Sequence, residues 1–460
     1  MSHFKNPIFL LKIAKSYFTD VNRIWKIDNK QLKKYQDKSI KKIVKYAYSI
    51  PLYHDKYKEA GVHPKDIKGV DDLNKLPIIT KDDIRKYYPD GIIPKGFNKN
   101  NAFLLSTSGS TGSPFYMFYD KFTTIKTLEG YVRALKAYGG NWRKSKIVLL
   151  VDLKPGSIEN AAFSESISPF LKKFISLNNI KLIHVAEKIE TIIDEINKFQ
   201  PEFIGSDPIM FLKLAKMKNK GFGEKIKPKV MFCSGSILDK YTKNYVENAF
   251  GVRLYNIYAA TEVGILAFEC KKNQYYHINS DFVYLEFLNK QNKPIKENES
   301  GNIIITRLFG KGTPIVRYAG LGDLVKTIKK ENDCNIPSNL MIEHIEGRKM
   351  DLVVLPDGRT IAPFHLTTIP ATVMSKLNSF KILQFQIIQH KVDEIEVLNV
   401  IDDEQRNIGP SVEKIFSEIK KMFIEKTSNK VKIDVKEVNE IEKDKRTDHV
   451  SLLISHVKKE

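Results

Sequence analysis

The sequence predicts an α/β protein. A large N-terminal domain of helix-covered, mostly parallel sheets carries a β-rich subdomain, and a small α+β domain closes the chain. Three observations lead there. Between residues 146 and 262, short apolar runs such as KIVLLVD and PKVMFCSGS alternate with helical patterns such as ETIIDEINKFQ, as in parallel strands joined by helices. After Glu262 the texture turns β-rich, with FVYLEFLN, GNIIITRL and PIVRYAGLGDLVKT. From about residue 350, two strand patterns, an amphipathic helix and an alternating strand make a separate small unit. The expected domains are residues 1–348 and 349–460.

In chain order, the first apolar run, Ile8 to Leu11, is broken by Lys12 and Lys15. It lacks a small-residue cleavage site and is too short to span a bilayer, so a helix packed on the body is expected, with a weak membrane-surface contact as the alternative. Leu32 to Gly61 reads as helical through Ile40, Ile43, Val44 and Ala47. Thr80 precedes a run of acids and is a helix cap. NAFLLS and FYMFYD are strands flanking a loop, and the helix after them places Leu128, Val132 and Leu135 on one face. Near the C-terminus, Val412, Ile415, Phe416, Ile419, Met422 and Phe423 form the apolar stripe of a further helix.

Composition bounds the partners. The 460 residues are 42% hydrophobic and 10% aromatic, as in a folded protein with a sizeable core. Lys+Arg 75 against Asp+Glu 54 gives +21, but lysine dominates and is spread along the chain among acids. No aromatic-plus-arginine patch stands out, so no nucleic-acid partner is expected. Three cysteines, Cys233, Cys270 and Cys334, argue against a disulfide framework and for a reducing, cytoplasmic setting. No transmembrane segment is expected.

The stretch TSGSTGSP, Thr107 to Pro114, has little side-chain mass. A surface hairpin or linker is one reading. The flanking strands favour an anchored loop whose backbone N–H groups can approach an anion and form a nest. Thr107, Ser108, Ser110 and Thr111 add hydroxyl donors around Gly109 and Gly112. A Walker loop needs a Gly-Lys leading into a helix. This loop has no such lysine and leads into a strand, so a phosphate cradle of another kind is indicated.

T-S-G-S-T-G-x-P resembles the phosphate loop of the adenylate-forming superfamily, which holds acyl-CoA ligases, luciferases and adenylation domains. YNIYAATE resembles that family's Y-x-x-T-E, RYAGLGD its R-Y-x-x-x-G-D, and IEGRKMD its hinge G-R-x-x-D, in the family's order. KIVKYAYSIPLYHDKYKEAGV with DDLNKLPIITKDDIR resembles the phenylacetate–CoA ligase and capsular-polysaccharide-biosynthesis branch, and the resemblance covers nearly the whole chain. It implies activation of a small-molecule carboxylate by ATP to an acyl-adenylate. Transfer to coenzyme A, or to an amine, hydroxyl or carrier thiol, follows. By the same resemblance, Thr107–Gly112 hold the β- and γ-phosphates, Thr261 bonds the α-phosphate and Glu262 binds Mg²⁺. Tyr258 stacks on adenine, Gly235 and Ser236 line the base pocket, Asp323 accepts from the ribose hydroxyls, and Arg348 reaches ribose or phosphate from the hinge. The C-terminal domain is implied to be a mobile lid.

The sequence departs from the family at the lid. The expected Gly-Lys falls on Asp448-His449, with Lys443 and Lys445 as nearby substitutes, and Met350 replaces an often acidic hinge residue. A non-catalytic nucleotide-binding homologue is the alternative. The branch also carries a Cys/His group that looks zinc-binding. Cys270, His277 and Cys334 match it in part, but the second cysteine of its later pair is missing. Buried thiols beside a hydrogen-bonded histidine are the other reading.

Overall fold

The computed structural model describes residues 7–106, 116–153, 177–296, 298–329, 334, 336, 340–348, 351–442 and 451–457. The first three helices are α1 (Pro7–Arg23), α2 (Asn29–Ala47) and α3 (Pro51–Glu59). The helical pattern from Leu32 to Gly61 is therefore two helices. Pro51 has no N–H to offer a preceding turn and sits at the first position of α3. Thr80 caps α4 (Lys81–Tyr87) in a capping box with Asp83.

Strands β1 (Ala102–Ser106) and β2 (Tyr116–Asp120) pair antiparallel as a hairpin, Ser106 opposite Tyr116. Helix α5 (Lys121–Ala137) follows, capped by Asp120. Its expected apolar face is only partly right. Leu135 is buried, whereas Leu128 and Val132 are half-buried, and Lys126, Glu129 and Arg133 lie inside. A partner helix that supplies counter-charges outweighs the apolar stripe.

The centre is one sheet of eleven strands. β3 (Ile147–Val151), β4 (Ile180–His184), β5 (Phe203–Ser206), β6 (Val230–Cys233) and β7 (Leu254–Ala260) pair parallel in the order β4-β3-β5-β6-β7. Helices α6 (Ile189–Phe199), α7 (Pro208–Asn219) and α8 (Lys240–Phe250) join them. β7 then pairs antiparallel with β8 (Gly264–Glu269), and β9 (Tyr276–Ile278), β13 (Leu340–Arg348), β12 (Asp323–Lys329), β11 (Ser300–Arg307) and β10 (Val283–Leu288) complete the sheet. The β-rich region is thus continuous with the parallel half, because β7 pairs with both β6 and β8.

Beyond residue 350 come the short pair β14 (Val353–Val354) and β15 (Thr360–Ile361), and helix α9 (Pro363–Lys376). A four-stranded sheet of β16 (Ile382–Lys391), β17 (Glu394–Ile401), β18 (Lys432–Glu437) and β19 (Leu453–Ser455) follows, with α10 (Val412–Thr427) between β17 and β18. One buried cluster runs from Val148 and Ile204 through Tyr241 and Tyr245 to Leu366, Phe385 and Ile395, so this unit packs on the α7–α8 side. Among the described residues, no helix is long and apolar enough to cross a membrane.

Candidate active site

In a sheet with parallel strands, ligands bind beyond the carboxyl ends of the strands. Beyond β6 the chain turns at Gly235, whose φ of +97° and open Cβ position suit glycine. Ser236 beside it is half-buried. Beyond β7, Thr261 and Glu262 lie in the tight turn to β8, not at a helix start.

That turn is clamped from three sides. The Tyr119 hydroxyl of β2 donates to the Thr261 carbonyl at 2.8 Å. Arg307 of β11 donates to the Glu262 carbonyl at 3.0 Å, and Tyr318 donates to Glu262 Oε1 at 3.2 Å. At Gly264 φ is +81°, and a Cβ would stand 2.5 Å from Thr127 of α5. The backbone is fixed, and Glu262 Oε1 is oriented by the Tyr318 hydroxyl. Glu262 is buried, and burial raises its pKa above the usual carboxylate range. Such a carboxylate gains most from a cation.

Tyr258, on β7, is buried and donates its hydroxyl to Asp323 Oδ2 at 2.5 Å. Asp323 opens β12 opposite Arg348 at the end of β13, whose Nε stands 3.8 Å from Oδ1. Burial also raises Asp323, opposed by Tyr258, Arg348 and a lysine, Lys81. The structure therefore brings Tyr258, Thr261, Glu262, Asp323 and Arg348 together. Thr107–Gly112 lie outside the described residues. The hairpin that carries them is tied to the site by Tyr119 and by Thr313 N–H donating to the Phe118 carbonyl at 2.8 Å.

Lys81 and Tyr318 were not singled out in the sequence. Ile79 pairs with Tyr318: Ile79 N–H donates to the Arg317 carbonyl, and Ala319 N–H to the Ile79 carbonyl, both at 2.9 Å. Arg317 grips the same segment. Its guanidinium pairs with Glu286 at 2.9 Å and donates to the carbonyls of Asn74 and Leu76. Lys81, two residues past Ile79, is half-buried beside the site. Burial lowers its pKa, Glu262 and Asp323 raise it, and Arg348 and Arg85 lower it. A lysine at the first position of a helix opposes the helix dipole, and that was the available signal.

Cys270, His277 and Cys334 converge, their ligand atoms all within 4.8 Å of one another. The two sulfurs are 3.4 Å apart, far beyond a disulfide's roughly 2.0 Å. His277 is buried, and neither ring nitrogen has a hydrogen-bond partner. The hydrogen-bonded histidine of the alternative reading is not found. Burial lowers the His277 pKa to about 4, which keeps the ring neutral and able to ligate.

No family model matches the chain. It is 24% identical to phenylacetate-coenzyme A ligase of Thermus thermophilus over 401 residues, 84% of this chain and 85% of the relative. It is 25% identical to Protein CapK of Staphylococcus aureus over 433 residues, 92% and 90% of the two chains. Its fold superposes on 2-hydroxyisobutyryl-CoA ligase in the postadenylation state in complex with R3-HIB-AMP with a TM-score of 0.77, at 17% identity, over 93% of this chain and 90% of that one. The chain is therefore similar in sequence to phenylacetate-coenzyme A ligases and to CapK, and it shares the fold of 2-hydroxyisobutyryl-CoA ligase. The same 2-hydroxyisobutyryl-CoA ligase in its thioesterification state superposes at 0.61 over the same shares. The fold of this chain is thus nearer that of the postadenylation structure.

Proposed function

We propose that the chain joins a small-molecule carboxylate to ATP, giving an acyl-adenylate and pyrophosphate, and then passes the acyl group to coenzyme A or to an amine, hydroxyl or carrier thiol. The supporting observation is the convergence of Thr261, Glu262, Tyr258, Asp323, Arg348 and Lys81 around the end of β7. In the first step a carboxylate oxygen bonds to the α-phosphorus while the bond from that phosphorus to the bridging oxygen of the leaving pyrophosphate breaks. In the second, the acceptor attacks the acyl carbonyl and AMP leaves. Catalysis here is mainly positioning and charge neutralisation.

In this reading Thr107–Gly112 hold the β- and γ-phosphates, Thr261 donates to the α-phosphate, and Tyr258 with Gly235 and Ser236 encloses the base. Asp323 receives the ribose hydroxyls, its free acceptor capacity aimed by the Tyr258 bond, and Arg348 faces ribose or phosphate from the end of β13. Glu262 is the carboxylate that holds Mg²⁺, which neutralises phosphate charge when bound. Lys81 supplies the cation for which the family's lid lysine is missing from its usual place. Its neighbours Glu262 and Asp323 keep it charged, and the Ile79–Tyr318 pairing fixes its root. Residues 349–460 act as the lid, and the branch the sequence resembles suggests a setting in capsular polysaccharide biosynthesis.

A second, structural site is proposed for Zn²⁺ at Cys270, His277 and Cys334. Two thiolates on one zinc stand about 3.8 Å apart for Zn–S bonds of about 2.3 Å, near the 3.4 Å observed. The orphaned ring nitrogens of His277 supply a third ligand.

Pyrophosphate release, measured with ATP, Mg²⁺ and a carboxylate panel with and without coenzyme A, tests the reading. Release that depends on one class of acid supports it. Nucleotide binding with no release for any acid points to the non-catalytic alternative.

A further inference from the structure

Helix α1 is mounted with Ser16, Asp20 and Arg23 turned toward the body. Ser16 donates to Glu129 Oε2 at 2.9 Å, and Asp20 pairs with Arg23 and Lys126. Arg133 donates to the Asp20 and Val21 carbonyls while it pairs with Asp281 at 2.6 Å. At mid-helix the Tyr17 hydroxyl accepts from Trp142 Nε1 at 2.8 Å. These bonds fix the rotation of the helix about its axis. The opposite face consequently points to solvent: Ile8, Leu11 and Phe18 are 75%, 70% and 68% exposed.

Helical spacing sets these three on one stripe with the exposed Lys15 and with Lys12, whose stem is exposed while its ammonium lies over the Phe122 ring at 3.7 Å. Asp20 is the sole acid of the helix and is buried, so the outward face carries cations and apolar groups without an anion. This is the composition of an interfacial helix, which lays an apolar face into the headgroup boundary beside basic residues. From the structure we infer that α1 docks the chain, as a peripheral protein, on an anionic phospholipid surface. Charge selects this occupant. A chain of net charge +21 is drawn to an anionic bilayer, each lysine near the surface adding to the attraction. A second copy carries the same charge and is repelled rather than drawn. Docking does not depend on the enzyme's activity, since no residue of the stripe belongs to the active site. It would deliver an acyl group next to a membrane-bound acceptor.

The test is co-sedimentation of the full chain with vesicles of phosphatidylcholine alone and of phosphatidylcholine with phosphatidylglycerol. Binding is expected to the second and to be weakened by salt. The triple variant Ile8→Ser, Leu11→Ser, Phe18→Ser is expected to lose about tenfold in partitioning, and Lys12→Gln with Lys15→Gln to lose the preference for the anionic vesicles. Unchanged thermal melting of both variants shows that the fold is kept. The inference is overturned if the parent stays in the supernatant with anionic vesicles or if the triple variant binds as well as the parent. It is also overturned if the stripe supports only a dimer that the triple variant abolishes.

Discussion

The Tyr258 hydroxyl donates to Asp323 Oδ2 at 2.5 Å, joining the end of β7 to the start of β12. Sixty-five residues separate them, and the bond unites two motifs that the sequence shows only as separate stretches. It leaves Asp323 half-buried with one oxygen already oriented. Tyr258→Phe keeps the ring and removes the donor. The expected result is a loss of about 1.5 kcal/mol in nucleotide affinity, roughly tenfold, with little change in melting temperature. Calorimetric titration with AMP measures it.

Lys81 is the residue the structure adds to the site. Lys81→Met is expected to lower the rate of adenylation roughly a hundredfold, while Lys81→Arg retains more of it. AMP affinity should move little in either variant, because the contact is made to the reacting groups. The split between rate and affinity distinguishes this role from a structural one.

The fold was largely legible, and the site in part. Thr80 as a cap and the alternation from Lys146 to Glu262 are local signals, and the structure follows them. Thr261 and Glu262 were visible as a motif, but not as a hairpin turn held by Tyr119, Arg307 and Tyr318, which come from three distant segments. Arg317 looked like part of a nucleotide motif, whereas its side chain grips Glu286 and the carbonyls of Asn74 and Leu76 and so sets the path to Lys81. Periodicity misled in α5, where Lys126, Glu129 and Arg133 face inward because α1 and Asp281 bring partners that no local window contains.

Glu129 gives the clearest pH dependence. Its Oε1 is buried without a partner, and burial raises its pKa from 4.5 to about 7 against the pull of Lys126, Ser16 and Arg133, with Asp20 adding to the rise. The folded state thus holds a proton that the unfolded state releases. The associated stability is complete below pH 4.5 and is lost as pH rises through about 7. Glu129→Gln is expected to flatten this slope and to exceed the parent at pH 8 by on the order of 1 kcal/mol. Melting curves between pH 5 and pH 8 (roughly the two limits of the shift) check it.

Zinc at the Cys270–His277–Cys334 group predicts about one equivalent of metal in protein purified without chelator, reduced in Cys270→Ser. Chelation should lower the melting temperature of the parent more than that of the variant, because metal binding is linked to folding. Metal-free parent protein with the same melting temperature in the presence of added zinc would remove the assignment.

Carboxylate-dependent exchange of labelled pyrophosphate into ATP isolates the first half-reaction from every choice of acceptor. The parent is expected to catalyse exchange with at least one acid of a broad panel, and Glu262→Ala to fall to background while still binding AMP. Absence of exchange from the parent across the panel, or undiminished exchange in Glu262→Ala, would contradict the account.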